Sequence, residues 1–332
     1  MNKKRNTIKI YFIVTFGLPI ILGIFIGMAY MKGSDTSIFP LVWMFLPAFG
    51  VMAAELLTHD NNEYPIPKVF YYTFSLFAIV MVILCMISVI VPLQSLAILI
   101  NVLVMISCPI CLIEIFCMKK EKRSRYGLAF LGNLKYSIWG IVLFVILYLV
   151  TCLLDVVFEN MFLGEVEGYV INPDALIYVA AMAINLLFSF TAFFGEEYGW
   201  RYFLQPVMQK KFGLRRGVIL LGLLWGIWHL PLNLFYYSPE TSLQSILIQL
   251  AGCVGMGIFF GWVYMKTHNI WAVTIIHFIN NNMGAALFGA SPSGAVWDWR
   301  TTLIGISIYL IVYTPFLLTK EYRASFVKRE IK

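Results

Sequence analysis

Three short stretches of this sequence set proton-moving side chains in apolar surroundings. The first is Phe193-Phe194-Gly195-Glu196-Glu197-Tyr198-Gly199-Trp200-Arg201. The second is Trp225-Gly226-Ile227-Trp228-His229-Leu230-Pro231, and the third is His277-Phe278-Ile279-Asn280-Asn281-Asn282. An ionisable group in hydrocarbon is costly, so it normally faces a protein interior and marks a site. Together they offer two carboxylates, a guanidinium, two imidazoles and a carboxamide, which suits hydrolysis. Glu196 is placed as a general base for water, and His229 orients that water or relays its proton. His277 with Asn281 donates to a developing oxyanion. A second arrangement uses the same atoms, since Glu196, His229 and His277 match the ligand set of some catalytic zinc sites. Asparagine is a poor zinc ligand, which tilts the reading away from metal. The bland alternative is a buried network of ion pairs and hydrogen bonds that locks helices together.

Helical spacing assigns the roles. Residues four apart lie about 40° apart around a helix, and neighbours about 100°. Glu197 and Arg201 therefore share a face and are expected to pair, while Glu196 points elsewhere. Two adjacent carboxylates in a low-dielectric setting need such a counter-ion, and Arg201 on Glu197 leaves Glu196 as the freer base. His277 and Asn281 are also four apart and present imidazole and amide on one face. Trp225 stands one turn before His229, where it can pack on the ring. Pro231 removes a ladder hydrogen bond just beyond, so a kink is expected at the histidine.

The elements that must hold these groups are membrane helices. Of 332 residues, 61% are apolar and only 12% are Asp, Glu, Lys or Arg, about half the charged share of an ordinary soluble domain. Mean hydropathy is +0.83. Ten runs approach the length of about 20 apolar residues needed to cross the hydrocarbon: Ile10–Met31, Phe39–Leu57, Val69–Val91, Ser95–Cys117, Ile138–Phe158, Ala175–Leu204, Val218–Tyr236, Leu243–Met265, Ile270–Leu287 and Leu303–Leu318. The last two are short and the third and fourth abut at Pro92–Leu93, so eight to ten spans are expected. With a cytoplasmic N-terminus and strict alternation, 22 of the 24 basic residues fall on inside segments, leaving Lys32 and Arg300 outside, as the positive-inside rule requires. Acidic residues such as Glu159, Glu165, Glu167, Asp174 and Glu240 gather on the outer side. The net charge of +7 is thus a topology signal, and no nucleic-acid partner is expected. If the sixth helix stops before Pro206, Glu196 lies roughly 14 Å from its cytoplasmic end, with His229 and His277 roughly 18 and 10 Å from theirs. The fold expected is an all-α polytopic bundle with both termini cytoplasmic.

The cysteines, including the Cys108-x-x-Cys111 pair, fall in or beside apolar runs and read as small membrane residues rather than a disulfide or redox set. Glycines at 252, 255, 257 and 261 permit close helix packing, within or between chains. No oligomeric state is legible.

At the three polar stretches the sequence resembles the CAAX prenyl protease and bacteriocin-processing (CPBP) family of intramembrane endopeptidases. That pattern is E-E-x-x-x-R, an aromatic four residues before a histidine, and H-x-x-x-N. Glu196, Glu197 and Arg201 match the first, Trp225 and His229 the second, and His277 and Asn281 the third; the family more often has Phe where Trp225 stands. The resemblance runs over roughly Ile138 to Leu318 and implies cleavage of a peptide or lipidated-protein substrate at a membrane. It leaves open whether glutamate-activated water or a metal such as zinc does the chemistry. It divides the chain into N-terminal helices over 1–136, a protease core over 137–320 and a basic cytoplasmic tail over 321–332. A bacterial plasma membrane is the expected location. Two other classes use the same residues: a transporter or channel with a buried Glu–His proton relay, and a non-catalytic immunity or scaffold protein.

Overall fold

A computed structural model describes residues 2–60, 62–91, 94–163, 170–291 and 293–323. The tail beyond Arg323, together with Glu165, Glu167 and Pro92–Leu93, lies outside the described residues. The described chain is helical without a strand. In order the helices are α1 (Asn2–Met31), α2 (Ile38–Trp43), α3 (Leu46–Thr58), α4 (Lys68–Ile90), α5 (Gln94–Cys117), α6 (Lys120–Arg125), α7 (Leu134–Leu163) and α8 (Ala175–Glu197). A π-helical turn over Tyr198–Leu204 joins α8 to α9 (Gln205–Phe212). Then come α10 (Leu214–Trp228), α11 (Leu230–Leu232) with a π turn over Asn233–Tyr237, α12 (Ser242–Thr267), α13 (Ile270–Phe288), α14 (Trp299–Tyr313) and α15 (Lys320–Arg323).

Among the described residues, eight helical stretches are long and apolar enough to cross a membrane. A ninth is added if Leu214–Trp228 and Leu230–Tyr237, bent by 42°, count as one. The protein is a multi-pass membrane protein. Helix α13 is not among those eight although it carries His277. Its His and three consecutive Asn lower its hydropathy, and it is largely enclosed by protein, with Ile270–Thr274 and Ile276–Ile279 all buried. Helix α7 does the opposite. It exposes Ile138, Val142, Ile146, Leu149 and Leu153, an i, i+3/i+4 stripe suited to lipid.

The helix carrying Glu196 does not stop before Pro206. It runs on to Phe212, where Gly213 ends it with φ of +83°, so the depth expected for Glu196 from a helix end at Pro206 does not hold. The widened turn over Tyr198–Leu204 absorbs a residue lacking an N–H, and Pro206 falls at the start of the next α-helical segment, where proline is tolerated.

The chain forms two compact units. One holds residues 1–130 with Ile184–Phe203; the other holds 131–183 with 204–332. In the first, α1 packs on α3, α3 on α4 and α4 on α5. The stretch after Ile184 lies against the junction of α2 and α3 through two glycines four apart. A Cβ at Gly195 would sit 2.5 Å from the Met44 carbonyl oxygen, and one at Gly199 would overlap Pro47. Backbones approach this closely only where no side chain intervenes. Gly199→Ala is therefore expected to destabilise by about 1–3 kcal/mol through overpacking, read as a lower unfolding midpoint in detergent. An unchanged midpoint would show that this contact is not tight.

In the second unit α12 is central and packs on α10, α14, α13 and α7. A Cβ at Gly222 of α10 would meet Val254 Cα at 2.6 Å, and a Cβ at Gly257 would meet Gly222 Cα at 3.5 Å. The α12 glycines thus serve packing inside the chain.

Candidate active site

In the first unit the acid pair sits where α8 gives way to the π turn. Glu196, Glu197 and Arg201 are all buried, the last two completely. Arg201 Nε donates to Glu197 Oε2 at 2.9 Å, the pair that the i, i+4 spacing predicts. Such a charge-assisted bond compensates two groups removed from water. The π turn begins at the very next residue, and widened turns of this kind recur at functional sites because they re-aim side chains without ending the helix.

Aromatic residues hold that turn. Phe194, Tyr198 and Tyr202 stack one above another, with ring centroids 5.0 and 4.5 Å apart. The Tyr198 hydroxyl donates to the Tyr126 carbonyl at 3.0 Å, and it lies 2.9 Å from the Tyr71 hydroxyl. A hydroxyl has one proton, so Tyr71 is the donor to Tyr198. The Tyr11 hydroxyl donates to the Gly199 carbonyl at 3.3 Å. Residues remote in sequence thus tether the backbone beside the two glutamates. Tyr198→Phe is expected to cost about 1–3 kcal/mol by leaving a buried partner unsatisfied. Thermal unfolding measures it, and a loss well below that range would mean water replaces the hydroxyl.

The imidazoles belong to the second unit. His229 ends α10 at the 42° bend, the kink that Pro231 predicts. Its Nδ1 lies 2.8 Å from the Trp225 carbonyl oxygen. A carbonyl only accepts, so Nδ1 carries the proton and Nε2 keeps its lone pair. Asn233 donates from Nδ2 to the His229 carbonyl at 3.0 Å, and Ser245 Oγ donates to Asn233 Oδ1 at 2.6 Å. Asn233 opens the second π turn. The i, i+4 spacing from His229 flags Asn233 in the sequence, whereas Ser245 carries no local signal.

His277 is buried. The Trp225 ring packs against both imidazoles, with centroids 6.0 Å from His229 and 5.6 Å from His277, and the Phe260 ring lies tilted 5.8 Å from His277. Trp225 thus packs on both rings, not on His229 alone. Asn281, one turn beyond His277, is exposed, and its Oδ1 accepts from Asn280 Nδ2 at 3.0 Å. Within this unit a fixed tautomer, a shared aromatic neighbour and a bent helix orient the imidazoles.

Within the second unit, Nε2 of His229 keeps its lone pair because a carbonyl holds the opposite nitrogen, the arrangement usual for metal-ligating histidine.

Residues 175–283 match the sequence profile of the family described as type II CAAX prenyl endopeptidase Rce1-like. A CAAX prenyl protease 2 of Methanococcus maripaludis is 34% identical to the chain over 92 residues, which are 26% of this chain and 34% of the relative. The chain therefore spans about a third of that relative's length. Glu196, Glu197, Arg201, Trp225, His229, His277 and Asn281 all lie within residues 175–283. Over those residues this chain is similar to the Rce1-like CAAX prenyl endopeptidases, membrane proteases of the CPBP type.

Proposed function

We propose that this protein is an intramembrane endopeptidase that hydrolyses a bond in a peptide or lipidated-protein substrate. The supporting observation is a buried carboxyl, Glu196, directly beside an acid paired with Arg201 at 2.9 Å. In this reading Glu196 takes a proton from water as that water attacks the scissile carbonyl. His229 accepts a hydrogen bond from the same water at Nε2 and so directs its lone pair toward the carbonyl carbon. His277 and Asn281 donate to the oxygen that becomes negative, and its neutralisation is the largest expected contribution to rate. The proton on Glu196 then passes to the departing amine, which restores the carboxylate.

A divalent metal, held by Glu196, His229 and His277, supplies a Lewis acid for the carbonyl when bound. The roles of Trp225 and Arg201 are the same in either case: one keeps the imidazoles oriented, the other pairs with Glu197. A bacterial plasma membrane as location, cytoplasmic termini and the partition into 1–136, 137–320 and 321–332 remain part of this proposal.

The test is incubation of the purified full chain, in lipid nanodiscs, with a panel of peptides with and without a prenylated cysteine near the C-terminus. Metal content is measured on the same sample. New peptide termini identified by mass spectrometry support the reading. A folded, monodisperse chain that cleaves none of the panel but drives solute flux in proteoliposomes overturns it in favour of a transporter.

A further inference from the structure

At the bend, two donors of His229 compete for one carbonyl. In an unbroken α-helix the Trp225 carbonyl would accept from the backbone N–H four residues on, which is that of His229. Here the His229 N–H goes instead to the Gly226 carbonyl at 3.1 Å, and the Trp225 carbonyl accepts from the imidazole Nδ1 at 2.8 Å. His229 itself has φ −82° and ψ 0°, the bridge conformation in which many active-site residues sit. Pro231 does not account for this choice. Its missing N–H would have gone to Ile227, and its ring bears on that same carbonyl.

Asn233 holds the His229 backbone in that conformation. Its backbone N–H and its Nδ2 both donate to the His229 carbonyl, each at 3.0 Å, so a single residue meets both lone pairs of that oxygen. Ser245 Oγ donates to Asn233 Oδ1 at 2.6 Å and fixes the amide the right way round. Turned over, the amide would set Oδ1 against the His229 carbonyl, two acceptors face to face. Ser245 stands on α12 and not on the bent segment, so the clamp ties the bend to a second helix. Asn233 is 1% exposed and is out of reach of a substrate.

We propose that Asn233, locked by Ser245, is a positioning residue: it keeps the His229 N–H on Gly226 and so reserves the Trp225 carbonyl for the imidazole, which fixes Nε2 as the nitrogen without a proton. Without the clamp the segment relaxes toward regular helix and the His229 N–H moves to the Trp225 carbonyl. The ring then loses the acceptor that selects its tautomer. The consequence for cleavage rests on the endopeptidase reading, in which Nε2 accepts a hydrogen bond from the attacking water. Asn233 then acts on kcat through His229 and leaves KM alone.

The test is nitrogen-15 NMR of the histidine-labelled full chain in lipid nanodiscs above neutral pH, where protonated and unprotonated ring nitrogens give well-separated signals. The chain has 4 histidines, and the His229 signals are identified by their loss in His229→Gln. The unaltered chain is expected to show His229 in one tautomer, with the proton on Nδ1. Asn233→Ala and Ser245→Ala are expected to add the Nε2-protonated form. Ser245→Thr, which keeps the hydroxyl and borders a cavity of about 360 Å³ that can take the methyl, should keep the single form. With the prenylated and unprenylated peptides described above, kcat should fall about 10–100-fold in Asn233→Ala, the usual cost of freeing a site histidine, with KM unchanged. A lower unfolding midpoint alone does not move a tautomer. A native spectrum in Asn233→Ala therefore makes Asn233 purely structural and overturns the assignment. So do an unaltered chain with the proton on Nε2 and a shifted tautomer with undiminished kcat. If Asn233→Ala does not purify as a monodisperse species, the Ser245→Ala and Ser245→Thr pair decides. A tautomer shift in a chain that cleaves nothing supports the clamp and sinks the endopeptidase reading; cleavage with a tautomer indifferent to Asn233 does the reverse.

Discussion

Glu196→Gln yields a chain that inserts and folds but cleaves peptide at least about 10³-fold more slowly, within the usual range for losing a general base. Glutamine keeps the volume and planarity of the side chain, so the buried position at Glu196, only 2% exposed, is refilled without a cavity. What is lost is the ability to take up a proton. The comparison that isolates this is rate against unfolding midpoint for the two proteins under identical conditions. A large fall in rate with an unchanged midpoint assigns Glu196 to chemistry. Retention of more than a tenth of the rate would mean that another group activates water, and the proposed mechanism would have to be abandoned.

The second large effect is on stability. Arg201→Met strips the counter-ion from Glu197, and both side chains are completely buried. Leaving one member of a buried pair costs about 3–5 kcal/mol, because the remaining charge keeps its desolvation penalty without its partner. For a protein of this size that corresponds to a drop of roughly 4–7 °C in the unfolding midpoint. The double variant Glu197→Gln with Arg201→Met removes both charges and is expected to recover a substantial part of the loss. The difference gives the coupling energy from a double-mutant cycle. Two single variants with near-native midpoints would show that water reaches the pair and that Arg201 is dispensable for holding Glu197.

Both predictions concern residues whose relation is local, and that is why they are legible in one dimension. Glu197 and Arg201 are one helical turn apart, so their pairing follows from the geometry of any helix through them. The bend at His229 follows from Pro231 two residues on. The all-α membrane class follows from the length and apolar content of the runs, since backbone groups in hydrocarbon must be satisfied within each helix. The helix carrying Glu196 shows where this reasoning stops. Pro206 reads as a terminator, yet the π turn before it admits the proline and carries the helix to Phe212. A π turn has no composition signature, because it answers to what packs around it.

The membrane class, the inventory of acid, imidazole and amide, and each pairing that lies within one turn can be read from the residues alone. Helical periodicity and the cost of charge in lipid act on neighbouring residues and leave their mark in spacing. Long-range packing brings Tyr71 and Tyr126 onto Tyr198, seats the α2–α3 junction on Gly195 and Gly199, and sets Ser245 to brace Asn233 behind His229. Such contacts join residues from a dozen to well over a hundred positions apart. They form because close packing and the satisfaction of buried polar groups select one arrangement of whole helices, and no local pattern records which helices will meet.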